Sequence, residues 1–449
     1  MVTIQTHGGS IRGIEKDGLH MFLGIPYAYP PTEHRRFKHS ELVTTWDNII
    51  DASAFQNIPP QLDNKLETFF SSKPASFKQS EDCLYLNIWS QNNQLKDKPV
   101  IIYFYGGGFV NGHGSAELYT PEHIVQQHDV VVVTFNYRLG ALGYLDWSYF
   151  NQSYHNNNGL SDQINVLKWV HRFIEDFGGD PHNITLMGQS AGSMSIMALM
   201  QQPELDMYYQ KVILLSGTLQ LDTPQNGYLK AQHFDKLREQ YFPNKKVEEL
   251  TANEILKLME EDEKFRGKSK GLELIYAPID DTTMCRPLSD FTKPVVVGYT
   301  QDEGDCYIRN ESRKLAPQRF VDVMKLNNIR INIEEAQTGQ QQAQVVTDLY
   351  FKQPALQFLD NLKDNPHKWL ARFDWSIPSQ PDFNSAYHIL DLVFWFGKME
   401  ILNAHEVKDL TSEKVLSQQM MNDLFYFAKN SIMPWAPYTI HHTQPHKYI

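Results

Sequence analysis

One stretch constrains this chain more than any other: Asn183 to Met200, reading NITLMGQSAGSMSIMALM. A short apolar run enters a Gly-x-Ser-x-Gly and passes without a break into a helix-forming pattern. That order predicts a strand, a tight turn and a helix, with Ser190 at the turn. A serine at so sharp a bend is pushed outward with its hydroxyl exposed, while Gly188 and Gly192 leave room for strand and helix to pack closely. The helix beyond aims its first backbone N–H groups and the positive end of its dipole at the same spot, which favours developing negative charge. These features suit a nucleophile. A five-residue pattern alone also describes an ordinary Gly/Ser-rich turn before a helix, so the rest of the chain has to decide.

The rest of the chain predicts an α/β fold with a parallel sheet. Val100 to Phe104, Val130 to Phe135, Ile184 to Met187, Val212 to Leu215 and Val295 to Val297 are short, mostly β-branched, continuous apolar runs, as expected of strands buried on both faces. Helical patterns separate them at 121–127, 161–177, 190–201 and 229–263, an alternation typical of parallel α/β sheets. In the helix at 161–177, Ile164, Leu167, Val170, Ile174 and Phe177 share a face, Ser161 reads as the N-cap and Gly178-Gly179 as the stop. His171 falls off that face and reads as a solvated side chain. Before Leu84 the chain predicts an antiparallel N-terminal edge of short strands, then a polar, Pro-containing surface excursion over 56–80. Beyond Val297 come helical patterns at 334–350 and 414–429 with a strand-like LARFDW between them. The tail HHTQPHKYI reads as a frayed terminus. The expected organisation is one domain over 1–449, with helical cap segments around 225–290 and 310–365.

Composition removes several classes of function. With 41 basic against 53 acidic residues the net charge is -12, which disfavours phosphate backbones and anionic membranes as partners. No nucleic acid and no membrane are expected. The start MVTIQTHGGS lacks a basic and an apolar targeting region, and the aliphatic runs are too short to span a bilayer, so the cytoplasm is the expected location. Three cysteines, Cys83, Cys285 and Cys306, suggest neither a disulfide framework nor a thiolate metal cage. No metal and no cofactor are expected, and the chain should act as a monomer or small homo-oligomer.

Acyl transfer at a serine needs a base, an acid to hold that base, and donors for the oxyanion. In chains that carry a nucleophile on such an elbow, the acid comes next and the histidine last. The apolar run from Val295 emerges into Gln301-Asp302-Glu303-Gly304-Asp305, so Asp302, Glu303 and Asp305 compete for the acid at a strand's C-terminal end, where α/β sites form. Among the later histidines, His367 and His405 lie in strongly polar stretches and the remainder in the tail. His388 follows the turn-rich PSQPDFNS and precedes the apolar LDLVFWFG, a setting that can pin a loop. Tyr105-Gly106-Gly107-Gly108-Phe109, directly after a strand, can bring backbone N–H groups to a substrate oxygen with no Cβ in the way. It matches neither a dinucleotide fingerprint nor a phosphate loop with its lysine.

FGGDPHNITLMGQSAG (177–192), EDCLYLNIW (81–89), FLGIPYAYPP (22–31) and YGGGF (105–109) together resemble the type-B carboxylesterase family, which includes the cholinesterases. The likeness runs on through NYRLG (136–140), NGLSDQ (158–163), VILLSGT (212–218), DEG (302–304) and AYHILDLVFWFG (386–397), nearly the whole chain. The resemblance implies an α/β-hydrolase fold, a mostly parallel sheet with antiparallel N-terminal strands and flanking helices. It implies a serine esterase acting on small, uncharged carboxylic esters, with Ser190 as nucleophile, Glu303 as acid and His388 as base. Gly107, Gly108 and Ala191 would supply the oxyanion N–H groups. It also implies two structural ion pairs, Arg36 with Glu81 and Arg138 with Asp162.

Three departures from the family stand out. Cys83 resembles a cysteine that secreted members bridge to a partner before a Pro-Gln; here that neighbourhood reads NIPPQ, so three free thiols are expected. Position 189 is Gln where many members carry Glu. The segments between Glu303 and His388 are shorter than in many members, so substrate preference does not carry over. The three-glycine loop resembles that of enzymes accepting tertiary-alcohol esters. Two rival functions share the resemblance. A non-catalytic binding module of the cholinesterase type typically lacks a triad member, whereas this chain keeps all three; an amidase or peptidase would use the same triad, and turnover on matched esters and amides separates it.

Overall fold

The computed structural model describes residues 1–73, 75–92, 95–267 and 269–449. Pro74, within the polar stretch 56–80, and Lys268, within the segment 225–290, lie outside the described residues. Among the described residues twelve strands form one sheet. They are β1 (Val2–Thr6), β2 (Gly9–Lys16), β3 (Leu19–Pro26), β4 (Ile50–Asp51), β5 (Tyr85–Gln91), β6 (Lys98–Phe104), β7 (Val131–Phe135), β8 (Gly179–Gln189), β9 (Lys211–Leu215), β10 (Val295–Thr300), β11 (Lys368–Phe373) and β12 (His446–Tyr448). The spatial order is β1-β2-β3-β5-β7-β6-β8-β9-β10-β11-β12, with β4 beside β2. Every pair from β7 through β12 is parallel, and the β1-β2-β3-β5-β7 edge is antiparallel.

The continuous apolar runs became central strands because both faces of the sheet are covered. All residues of β6, β7, β9 and β10 are buried. Each large aliphatic side chain removed from water there contributes about 1.5–3 kcal/mol. The helix Asn158–Phe173 continues as a 3-10 turn, Ile174–Phe177, and stops at Gly178 in the left-handed conformation, φ 83°. Its start corrects the expected cap. Asn157, with φ 50°, precedes the first turn, because Asn tolerates left-handed backbone, and Ser161 Oγ instead accepts from the Ser40 N–H at 2.9 Å. The helix buries more than one apolar stripe, since Asp162, Gln163 and Asn165 also face inward, paired with Arg138, Ser195 and Ser40. His171 is half-buried, not solvated, with its ring edge-on to His182 and Tyr208.

Two other expectations are overturned by tertiary contacts. The tail is not frayed: His446–Tyr448 pairs with Ala371–Phe373 as an edge strand, Tyr448 donates to Asp423 Oδ2 at 2.9 Å, and His446 stacks on Trp435. The polar stretch 56–80 contains a short helix, Lys65–Phe69, capped by Asn64. It is docked onto the loop after β6: Gln61 exchanges hydrogen bonds with the Gly112 N–H and carbonyl, Glu67 Oε1 lies 2.8 Å from His113 Nε2, and Ser71 and Ser72 donate to Glu117.

Helices occupy Pro224–Tyr241 and Ala252–Arg266 before β10, and Pro317–Leu326, Gly339–Val345 and Gln353–Asn361 before β11. Residues 308–351 gather a small apolar cluster of their own around Phe320, Val323, Met324 and Val346, with Leu272. Between the last two of these helices, Val346–Lys352 widens into a π turn, a form that recurs at functional sites.

Candidate active site

The residues singled out in the sequence arrive from the C-terminal ends of neighbouring parallel strands. Past Gln189, the last residue of β8, Ser190 adopts φ 55° and ψ −123°, and the helix Ala191–Met200 follows at once. Such backbone is costly for a residue with a Cβ and persists only where the surroundings impose it. The close packing that imposes it needs glycine: a Cβ on Gly188 would stand 2.6 Å from the Gly192 carbonyl carbon, and one on Gly192 2.6 Å from the Phe104 carbonyl carbon. The Ser190 N–H donates to the Leu215 carbonyl of β9 at 2.8 Å, which anchors the elbow. Ser190 makes no side-chain cap to its helix.

After β10, Glu303 is fully buried and accepts twice, from the Thr300 N–H at 2.8 Å through Oε1 and from His388 Nδ1 at 2.6 Å through Oε2. This separates the three competing carboxylates. Asp302 instead exchanges hydrogen bonds with the backbone of Ala386, N–H to carbonyl at 2.9 Å and carboxylate to N–H at 3.0 Å. It thereby holds the loop that carries His388. Burial pushes the carboxyls of Asp302 and Asp305 up from their ordinary values. The His388 ring packs against Phe351 and Tyr307, with centroids 4.9 Å and 5.6 Å away. Neither aromatic was singled out in the sequence, because each reaches the histidine from a segment far along the chain.

After β6, Gly107 has φ 115° and Gly108 φ 60°. The Gly107 carbonyl is tied inside the turn by the N–H groups of Val110 and Asn111, both at 3.1 Å. Gly107, Gly108, Ser190, Ala191 and His388 all line one cavity of about 790 Å³. Apolar side chains including Leu62, Leu66, Phe70, Met194, Leu274 and Phe351 supply much of its wall. The stretch expected as a surface excursion is thus one side of the cavity; its Leu62, Leu66 and Phe70 were the only signal available. Both implied ion pairs form: Arg36 Nε and Nη2 each lie 2.6 Å from the Glu81 carboxylate, and the buried Arg138 binds Asp162 at 2.7 and 2.9 Å.

A strained serine at the end of a parallel strand, with a histidine–carboxylate pair brought up by later strands, defines the α/β-hydrolase fold. The chain belongs to the carboxylesterase family, whose model matches residues 1–447. It is similar to the para-nitrobenzyl esterase of Bacillus subtilis (strain 168), 33% identical over 442 residues that cover 95% of this chain and 89% of that protein. It also resembles the juvenile hormone esterase of Heliothis virescens, 36% identical over 48% of this chain and 39% of that one. Among solved structures it matches a thermophilic para-nitrobenzyl esterase with a TM-score of 0.88 and 30% identity, over 98% of this chain and 92% of the other. The protein is a serine carboxylesterase. No helix among the described residues is long and apolar enough to cross a membrane.

Proposed function

We propose that Ser190, His388 and Glu303 form the catalytic triad, and that the N–H groups of Gly107, Gly108 and Ala191 form the oxyanion hole, in a one-domain esterase for uncharged, apolar carboxylic esters. The observation that carries this reading is the 2.6 Å bond between His388 Nδ1 and Glu303 Oε2, in the cavity that the strained Ser190 also lines. Ser190 Oγ attacks the ester carbonyl carbon and passes its proton to His388 Nε2. Glu303, acceptor only, holds the resulting imidazolium through Nδ1–H. The carbonyl oxygen, now negative, takes the three backbone N–H groups; as the C–O bond breaks, His388 returns the proton to the departing alcohol. Water then repeats the sequence on the acyl-enzyme. The cap segments around 225–290 and 310–365 contribute Met259, Leu274, Tyr350 and Phe351 to the cavity wall, so substrate size is selected there. Three unpaired cysteines fit a reducing compartment, and we assign the chain to the cytoplasm as a monomer or small homo-oligomer.

An organophosphonate tests the assignment. It should label Ser190 and abolish ester turnover, and peptide mapping that finds the adduct elsewhere overturns it. Ser190→Ala and His388→Ala should each lower kcat by about four to six orders of magnitude, since members of such a unit fail together.

A further inference from the structure

The proposed base has an unexpected companion. Among the described residues, the hydrogen-bond partner of His388 Nε2 is the side-chain Nε2 of Gln189, at 3.1 Å, and not Ser190 Oγ. Gln189 is buried and ends β8 immediately before the elbow. The proton count around the ring is tightly determined. Glu303 carboxylate can only accept, so Nδ1 carries the hydrogen; a neutral imidazole then has a bare lone pair at Nε2, which needs a donor. An amide nitrogen is such a donor, which fixes the Gln189 amide as it stands. Its oxygen is turned toward Gly106, where a Cβ would come within 2.5 Å of it. The first glycine of the loop therefore makes room for the amide as well as for substrate.

We propose that Gln189 is a positioning residue for the base: it holds His388 as the neutral Nδ1–H tautomer in the resting site and releases Nε2 to Ser190 when substrate enters. This rests on the triad reading above. A glutamate here could not donate to the bare lone pair, and its charge would favour the imidazolium, the form that cannot accept the serine proton. The other groups facing the ring are few. Glu303 approaches from beyond β10, Tyr307 and Phe351 pack tilted against the ring, and β8 with its elbow presents the uncharged Gln189 and Ser190. On the histidine's own segment Asp391 is buried, its carboxyl pushed up to about 7. Among the described residues Glu303 is thus the one carboxylate bonded to the ring, and a second one at position 189 changes the balance on the opposite nitrogen.

The test is the pH dependence of kcat/KM on one neutral ester for wild type, Gln189→Glu and Gln189→Leu, with phosphonate labelling of each. Gln189→Glu should move the acid limb to higher pH by about one unit or more, because an opposite charge beside an imidazolium stabilises it. Gln189→Leu should lower kcat/KM about tenfold, the worth of one lost hydrogen bond in this setting, with KM little changed. An unmoved limb in a folded Gln189→Glu that still labels at Ser190 overturns the role of Gln189 and leaves the triad standing. Failure of wild type to label at Ser190 overturns the triad itself. Should Gln189→Glu not fold, ¹⁵N-histidine NMR of wild type decides: His388 must be protonated at Nδ1 with a hydrogen-bonded Nε2 that sharpens toward the free value in Gln189→Leu, and a ring protonated at Nε2 refutes the proposal.

Discussion

Replacing Gly107 or Gly108 by alanine, one at a time, separates the two glycines of the proposed oxyanion hole. Gly107 has φ 115°, and a Cβ there would stand 2.8 Å from the Asn111 carbonyl carbon and closer still to its oxygen. Real Cβ atoms essentially never come within 3.0 Å, and the obstacle is backbone, since the Asn111 N–H is itself bonded back to the Gly107 carbonyl. It cannot swing aside as a side chain would. The loop has to open by about 1 Å, and a misplacement of that size costs on the order of 100-fold in rate. Loss of one well-formed oxyanion donor falls in the same range, about 100- to 1,000-fold in kcat, or about 3–4 kcal/mol. Gly108 differs, with φ 60° and its nearest obstacle, Leu274 Cδ2, at an ordinary 3.8 Å. Alanine there pays the left-handed penalty of about 1–2 kcal/mol in stability and keeps its N–H in place. On p-nitrophenyl acetate, Gly107→Ala should therefore lose about 100- to 1,000-fold in kcat and Gly108→Ala less than about tenfold. The methyl of Gly108→Ala meets Leu274 and Val110, which line the cavity, so a tert-butyl ester, turned over by wild type more slowly than the n-butyl ester, should suffer more than the n-butyl ester does. Full activity of Gly107→Ala on the acetate ester would refute the reasoning, and the donors would have to be sought elsewhere.

Three further outcomes follow from the structure. Arg138→Leu leaves Asp162 charged and fully buried without its partner, so urea unfolding should show a loss of about 3–5 kcal/mol; a loss below 1 kcal/mol would mean that water reaches the site. Burial first, then the nearby Glu303, pushes the Asp391 carboxyl up to about 7, above the ordinary value of about 3.9. The folded state then binds this proton more tightly than the unfolded chain, so the group's contribution is full at low pH and is lost as pH rises from about 4 to about 7. Asp391→Asn should accordingly gain about 2–3 kcal/mol relative to wild type between pH 5 and pH 8, measured by unfolding at both; a gain equal at both pH values contradicts the assignment. Thiol titration should count three free cysteines after denaturation. In the native state the exposed Cys285 should react first, since burial pushes the Cys83 thiol well up and that of Cys306 up to about 12.

Local chemistry determined a large part of this protein from the sequence alone. The elbow at Ser190, the buried strands and the glycine loop were legible because each depends on a few consecutive residues: Gly188 and Gly192 admit the close approach, and β-branched runs such as Val131–Phe135 suit strands covered on both faces. The chain order of the residues proposed here as nucleophile, acid and base was legible too, as was the setting that singled out His388. What the chain's pattern left open were contacts between residues distant in sequence. Asp302, Glu303 and Asp305 are equal in composition and place; the resemblance chose Glu303, and only the fold turns its carboxylate to His388 while Asp302 holds Ala386. The tail looked frayed because a three-residue edge strand has no local stability, and the neighbour that stabilises it, β11, ends more than seventy residues earlier. The stretch 56–80 looked like surface for the same reason, its polar groups being satisfied by Gly112, His113 and Glu117. The Gln189–His388 contact joins residues 199 apart in sequence. No periodicity records such a pair, because closing loops of that length is decided by the packing of the whole sheet.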